Sequence, residues 1–463
     1  MAWAGSERLE PKLILPDLVG MPVEVHLTPM KARTFIASLS LASAFGVSLY
    51  AQATQPTTVP SPTATAPSTE PGSNLTVYLL TFGWGDVSWE RFGHNAIWIK
   101  DRAHGTDITY NWGMFDFRQP RFVWRFVTGD TRYWMEAFSL DVMLAEYKRE
   151  NRSVLAQELN LTPAQRLKLQ QFVQWNALPE NKFYRYDYYR DNCSTRLRDA
   201  IDHALSGQLQ TSTVSRMTSG TYRWHTQRLM TGDIPLYTGV TFALSARADK
   251  PLSIWEEMFL PVRMANDLRT VSIADSTGAQ IPLVRSEMAM YTAGRPPEPA
   301  TTPFYFPLFV AVGIIFAATL VILVRTAEGG SRIAMFAATA LATLWSLIAG
   351  LGGLALLFAW LFTKHYFMGR NENLMHFDPL SIALVVLVPL SIYGLRGVNR
   401  AIKLAGFIAL LCLFGFVAQG IPFFSEKNGE IIALALPINL AVWWTVFRLT
   451  AYRRTSFPSS AAL

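Results

Sequence analysis

The sequence predicts an exported α+β domain followed by an all-α membrane domain of about five helices. Three observations lead there. Half of the 463 residues are apolar and only 16% are charged, a balance unusual for a soluble protein. Residues 74 to about 295 carry alternating strand-like runs and at least two helical segments in a mixed composition, the pattern of an α+β domain. Beyond Pro297–Pro303, five apolar segments follow at about 304–324, 333–362, 379–394, 404–422 and 430–449. Most reach or approach the roughly 20 residues that cross a bilayer, and the third is the shortest.

Along the chain, residues 1–29 show no export pattern and read as an upstream extension of the true start. Met30 then opens "MKARTFIASLSLASAFGVSLYAQA", with basic Lys31 and Arg33, a short apolar run and a small-x-small site at Ala51–Ala53, the marks of a signal peptide. An uncleaved signal anchor over 30–53 is the alternative. Residues 54–73 are nearly all Thr, Pro, Ser and Ala, which bury too little apolar surface to offset ordering entropy, so they read as a tether. Within the 74–295 domain the strongest helix start is Thr162-Pro163-Ala164-Gln165, with Thr162 as N-cap and Gln165 completing a capping box.

The net charge of +7 raises the question of a nucleic-acid partner, but the basic residues cluster at the ends of apolar segments and form no patch. Arg325 and Arg332 flank the first loop, Arg396, Arg400 and Lys403 fill the third, and Arg453 and Arg454 sit in the 450–463 tail. The second and fourth loops balance their cations with Glu372, Asp378, Glu426 and Glu430. The positive-inside rule then places loops one and three and the tail in the cytoplasm, and the 74–295 domain outside.

There are two cysteines. Cys412 lies inside the fourth apolar segment and cannot meet Cys193, which leaves an unpaired thiol in an oxidising compartment. A lone cysteine is most often a small buried hydrophobe, but Leu197, Ala200, Ile201, Ala204 and Leu205 recur at helical spacing behind Cys193, with Asp191 or Asn192 before it as a cap. At a helix N-terminus the free N–H groups favour a thiolate and can hold an oxyanion. Of the imidazoles that such a nucleophile requires, His94 in the strand-like "RFGHNAIWI" is the best placed. His104 sits in a polar turn, His203 lies too far along the cysteine helix, and His225 stays open. A hairpin that pairs Ile99 with Thr106 across a six-residue turn sets Asn111 opposite His94, as an orienting third member. No Cys or carboxylate cluster stands at metal-ligand spacing.

The order of a strand-borne His and a later helix-borne Cys, with Asn192 before Cys193, resembles the circularly permuted papain-like group, the NlpC and lecithin:retinol acyltransferase-like type. "GHNAIWI", "YNWGMFDF" (110–117), "YDYYRDNCSTRLRD" (186–199), "DKPLSIWEEMFLP" (249–261) and the outer loop "TKHYFMGRNENLMHFDP" (363–379) extend the likeness. From about residue 75 onward the chain is similar to the Lnb-type bacterial lipoprotein N-acyltransferases. The resemblance implies transfer of a fatty acyl chain from a phospholipid, through a thioester on Cys193, to the α-amino group of the diacylglyceryl-cysteine of an apolipoprotein, in the bacterial inner membrane and with no cofactor. His94 and Asn111 complete the catalytic set, and Tyr110, Asn192, His365, Asn371 and Asn373 are expected to touch substrate. The first 29 residues and the long tether depart from the pattern. The competing readings are a membrane-anchored Cys/His hydrolase, acting on wall peptides or lipid esters, and a non-catalytic envelope scaffold.

Overall fold

The structure, a computed structural model, describes residues 70–394 and 396–456. The expected upstream extension and signal segment, and nearly all of the expected tether, lie outside the described residues. The strand-like runs assemble into one antiparallel seven-stranded sheet. Its strands in chain order are β1 (Leu75–Phe82), β2 (His94–Asp101), β3 (Thr106–Met114), β4 (Arg132–Ser139), β5 (Val154–Leu159), β6 (Phe183–Arg185) and Val284–Tyr291. In space the order is Val284–Tyr291, β5, β1, β2, β3, β4, β6.

The first four helices between these strands are α1 (Phe122–Thr128), α2 (Leu140–Arg149), α3 (Pro163–Asn176) and α4 (Cys193–Ala204). One face of the sheet carries Val77, Leu79, Ile97, Trp112 and Met135 against Leu169 and Val173 of α3 and Leu197, Ala200 and Ile201 of α4. The period of two in the strands and of three to four in the helices brings these apolar sets together. On the other face Phe82 stacks on Tyr147 of α2 at 3.8 Å. The capping box expected at Thr162 is present: Gln165 N–H donates to Thr162 Oγ1 at 3.3 Å and Thr162 N–H to Gln165 Oε1 at 2.9 Å.

In the second half, helices run over Phe306–Glu328, Arg332–Phe362, Ser381–Tyr393, Val398–Ala418 and Gly429–Ser456. Four of them are long and apolar enough to cross a membrane. Ser381–Tyr393 has 13 residues, about 20 Å at 1.5 Å per residue, against a hydrocarbon core of about 30 Å.

The loops at the two ends of this bundle are tied separately. Glu372 N–H donates to Glu426 Oε2 at 2.8 Å, and Asn428 Nδ2 to Asn373 Oδ1 at 2.9 Å. At the opposite end, Arg448 Nε meets Glu328 Oε1 at 2.7 Å. The first group of loops also holds the α+β domain. Asn371 Nδ2 donates to the Phe242 and Ala243 carbonyls at 3.0 and 2.9 Å, and Lys427 N–H to Asp249 Oδ2 at 3.0 Å.

Candidate functional site

Cys193 is the first residue of α4 because Asn192 ends the preceding extended segment as an N-cap. Asn192 Oδ1 accepts from the Ser194 and Thr195 N–H groups, each at 2.9 Å, while Asn192 N–H donates to Thr195 Oγ1 at 2.8 Å. The side-chain amide nitrogen of Asn192 donates to the Tyr188 and Phe259 carbonyls. Both ends of that amide therefore serve the turn that presents the thiol.

His94 opens β2, and Asn111 lies on β3. Their pairing is two residues away from the expected one: Ile99 faces Ile108, Asp101 faces Thr106, and Asn111 faces Ala96. β2 continues to Asp101 and the turn shortens accordingly. A slip of one residue would have sent Asn111 to the wrong face; a slip of two preserves the face. The two side chains meet as diagonal neighbours, His94 Nε2 lying 3.2 Å from Asn111 Oδ1. Asn111 Nδ2 is directed at the Thr109 carbonyl at 3.3 Å, which fixes the oxygen end toward the imidazole. His94 thus donates from Nε2–H and keeps its basic lone pair on Nδ1.

Around the thiol, burial pushes the Cys193 pKa up to about 11, opposed by the backbone N–H groups of Asn95, Ser194 and Cys193 itself and by the Arg152 guanidinium. The helix N-terminus expected from the sequence is in place, but burial outweighs it. Burial also lowers His94 to about 4, helped by Arg152 and resisted by the Asn111 hydrogen bond. Among the described residues no hydrogen bond joins His94 to Cys193. The resting pair is a neutral thiol and a neutral imidazole, so any attack by this sulfur would need its proton to leave as the new bond forms. With His94 as the base, attack by this thiol on an acyl donor should stay level from about pH 5 to 8, with no inflection near 6.5, and fall as pH drops toward about 4 and His94 takes a proton. A pH–rate profile of single-turnover acylation checks this, and a midpoint near 6.5 would contradict it.

Four neighbours escaped the sequence reading. Tyr147 stacks parallel to His94, with ring centroids 6.4 Å apart, and Arg152 lies over Tyr147 at 4.7 Å. Asn95, next to His94, accepts from Ser194 Oγ at 2.8 Å and so ties β2 to the cysteine helix. Gly113 has φ +96°, and a Cβ there would stand 3.3 Å from Cys193 Cβ. Gly113→Ala should cost about 1–2 kcal/mol, from the left-handed backbone and the crowding together. Denaturant unfolding measures that cost, and acylation should slow with it. No local motif marks Tyr147 or Arg152; only the fold brings them in.

The other candidate residues are dispersed. Tyr110 points into the core face beside Trp112. His365 Nε2 meets the Phe126 carbonyl at 3.0 Å, and its Nδ1 lies 3.4 Å from Tyr188 Oη, so it bridges α1 to the loop before Cys193. Asn371 and Asn373 are buried in the joint between the two halves. His225 is engaged by Glu257 at 2.8 Å and by Arg228, and exposed His104 by Asp101. Both cysteines are free, and Cys412 pairs with His376 Nδ1 at 3.1 Å, well separated in the sequence from the first pair. No group of three metal-ligating side chains occurs among the described residues.

Residues 67–230 match the family model of the Lnb N-terminal periplasmic domain, and residues 299–447 match that of the Lnb transmembrane domain. The chain belongs to the Lnb family, an Lnb-type lipoprotein N-acyltransferase-like protein. No curated protein and no solved structure matches it. Both Lnb modules appear in their expected order, so this is a multi-pass membrane protein with an extracytoplasmic domain, related to lipoprotein N-acylation. Cys193 and His94 both fall inside the Lnb periplasmic match.

Proposed function

We propose that the chain transfers a fatty acyl group from a phospholipid to the α-amino group of a diacylglyceryl-cysteine at a lipoprotein N-terminus, with Cys193 as the acyl carrier. The observation that carries this reading is the His94–Asn111 contact beside a capped, helix-borne thiol, on a domain fastened to the outer loops of a membrane bundle. Nδ1 of His94 takes the thiol proton as Sγ attacks the donor ester carbonyl. The ester C–O bond breaks, and the lysophospholipid oxygen leaves with the proton that His94 returns. The lipoprotein amine then attacks the thioester, His94 accepts the amine proton, and the C–S bond breaks to give the amide and the restored thiol. The N–H groups of Cys193 and Asn95, which face the sulfur, suit the oxyanion of both tetrahedral intermediates.

The helix-borne cysteine following a strand-borne histidine supports a permuted papain-like domain. A fifth crossing by Ser381–Tyr393 is supported by the loops: 363–380 and 419–428 meet at one end of the bundle, as they would if Ser381–Tyr393 carried the chain down and Val398–Ala418 brought it back. The test is expression in cells that lack their own N-acyltransferase, with mass spectrometry of lipoprotein N-termini. Triacylated termini that disappear with Cys193→Ala support the reading; diacylated termini throughout would overturn it.

A further inference from the structure

We propose that α1 lies in the outer leaflet and that the row of aromatic rings leading from it toward Cys193 holds the acyl chain of the donor lipid. This rests on the acyl-transfer reading and names the subsite for its donor. The sequence "RQPRFVWRFVTGD" of α1 and its flanks alternates arginines with large apolar residues, the composition of a helix that lies in a membrane interface. None of its residues is buried: Val123, Trp124 and Phe126 are 73%, 59% and 56% exposed. So large an apolar surface on an anchored domain calls for an apolar neighbour.

The position of α1 says which neighbour. Trp124 lies 6.4 Å, ring to ring, from Phe358 in the last turns of Arg332–Phe362. Lys364 N–H donates to the Thr128 carbonyl at 2.8 Å, and Lys364 Nζ meets Asp130 at 2.7 Å. These bonds pin α1 at the outer end of a membrane-crossing helix, beside Leu361 and Phe362, which are themselves 57% and 69% exposed. The solvent at that height is lipid.

From α1 a run of ring contacts leads inward. Phe122 stands 5.0 Å from Phe117, Phe117 5.0 Å from Phe115, and Phe115 5.1 Å from Tyr133. Tyr133 stacks on Tyr186 at 4.2 Å, and Tyr186 lies within electrostatic reach of the Cys193 sulfur. Trp89, on the loop that leads into His94, faces Phe117 at 5.8 Å, and both are about two-fifths exposed. Gly113, against Cys193, is two residues before Phe115 on the same strand end. An acyl chain laid along these rings brings its ester toward the thiol while its head group stays near Arg121 and Arg125.

The test uses the full-length protein in vesicles of phosphatidylethanolamine and phosphatidylglycerol that contain a donor with a photoreactive diazirine in its acyl chain. Single-turnover acylation of Cys193 is measured with that donor and with a dibutanoyl phospholipid kept below its micelle concentration. Photolabel should appear on peptides covering residues 113–130. In the exposed-site variant Trp124→Ser/Phe126→Ser, the ratio of vesicle-donor rate to soluble-donor rate should fall by at least about tenfold. An unchanged ratio, label confined to the membrane helices, or label on 113–130 only from a lipopeptide acceptor would overturn the assignment and leave acyl transfer standing. A wild-type chain acylated by neither donor would overturn the acyl-transfer reading and this subsite with it.

Discussion

Exchanging His94 for alanine should slow acylation of Cys193 by about 100- to 10,000-fold, the range of a positioned general base, without loss of the fold. The side chain sits at the start of β2 and is not part of the main core cluster of the sheet, so its removal leaves that cluster intact. Asn111→Ala should have a smaller effect on rate, because it removes the contact that selects the tautomer and leaves the base present. It should also alter the pH profile, since the Asn111 hydrogen bond is what holds the His94 pKa up against burial. Without that bond, the acidic limb of the profile should move to lower pH. Single-turnover acylation followed by intact-protein mass spectrometry reads both variants. Equal rates in wild type and His94→Ala would remove the imidazole from the chemistry.

The second large effect concerns the joint between the two halves. Arg223 is about 1% exposed and holds Asp249 through two hydrogen bonds, at 2.7 and 3.1 Å, with Glu426 3.9 Å away. It also donates to the Thr241 and Leu244 carbonyls. Arg223→Ala strands buried Asp249 with no counter-ion and should cost about 3–5 kcal/mol, seen as a large drop in thermal midpoint. Glu426→Gln should cost far less, because burial pushes the Glu426 pKa up to about 8 and the carboxyl is already neutral at pH 7. Its sign is the reverse of an ordinary paired carboxylate. The folded state binds the proton more tightly than the unfolded chain, so the Glu426 contribution is complete below about pH 4.5 and is lost as pH rises through about 8. Glu426→Gln should remove that part of the pH dependence of unfolding. A steeper loss of stability with pH in the variant would contradict this protonation state.

The sequence carried more of the site than of its surroundings. Cys193 as the head of a helix, Asn192 as its cap and His94 on a strand were all legible because capping and periodicity are local. The contact between His94 and Asn111 was legible only by parity. Strand faces repeat every two residues, so a register wrong by two still brings the same side chains to one face. Thiol acidity was not legible: the helix N-terminus argues for a low pKa, and burial of Cys193 opposes it. That balance depends on long-range packing. The roles of Asn371 and Asn373 as links to the Phe242 and Ala243 carbonyls were hidden for the same reason. A polar loop between two apolar segments reads alike whether it faces water or another domain.

In the proposed cycle Cys193 carries the acyl group between donor and acceptor. The most direct measurement of this is intact and peptide mass spectrometry of the full-length protein after incubation with phospholipid vesicles and no acceptor amine. A mass gain of one fatty acyl chain is expected, mapped to Cys193, released by neutral hydroxylamine as a thioester, and absent in Cys193→Ala. An acyl group found on another residue, or lipoprotein N-acylation that persists in Cys193→Ala, would contradict it.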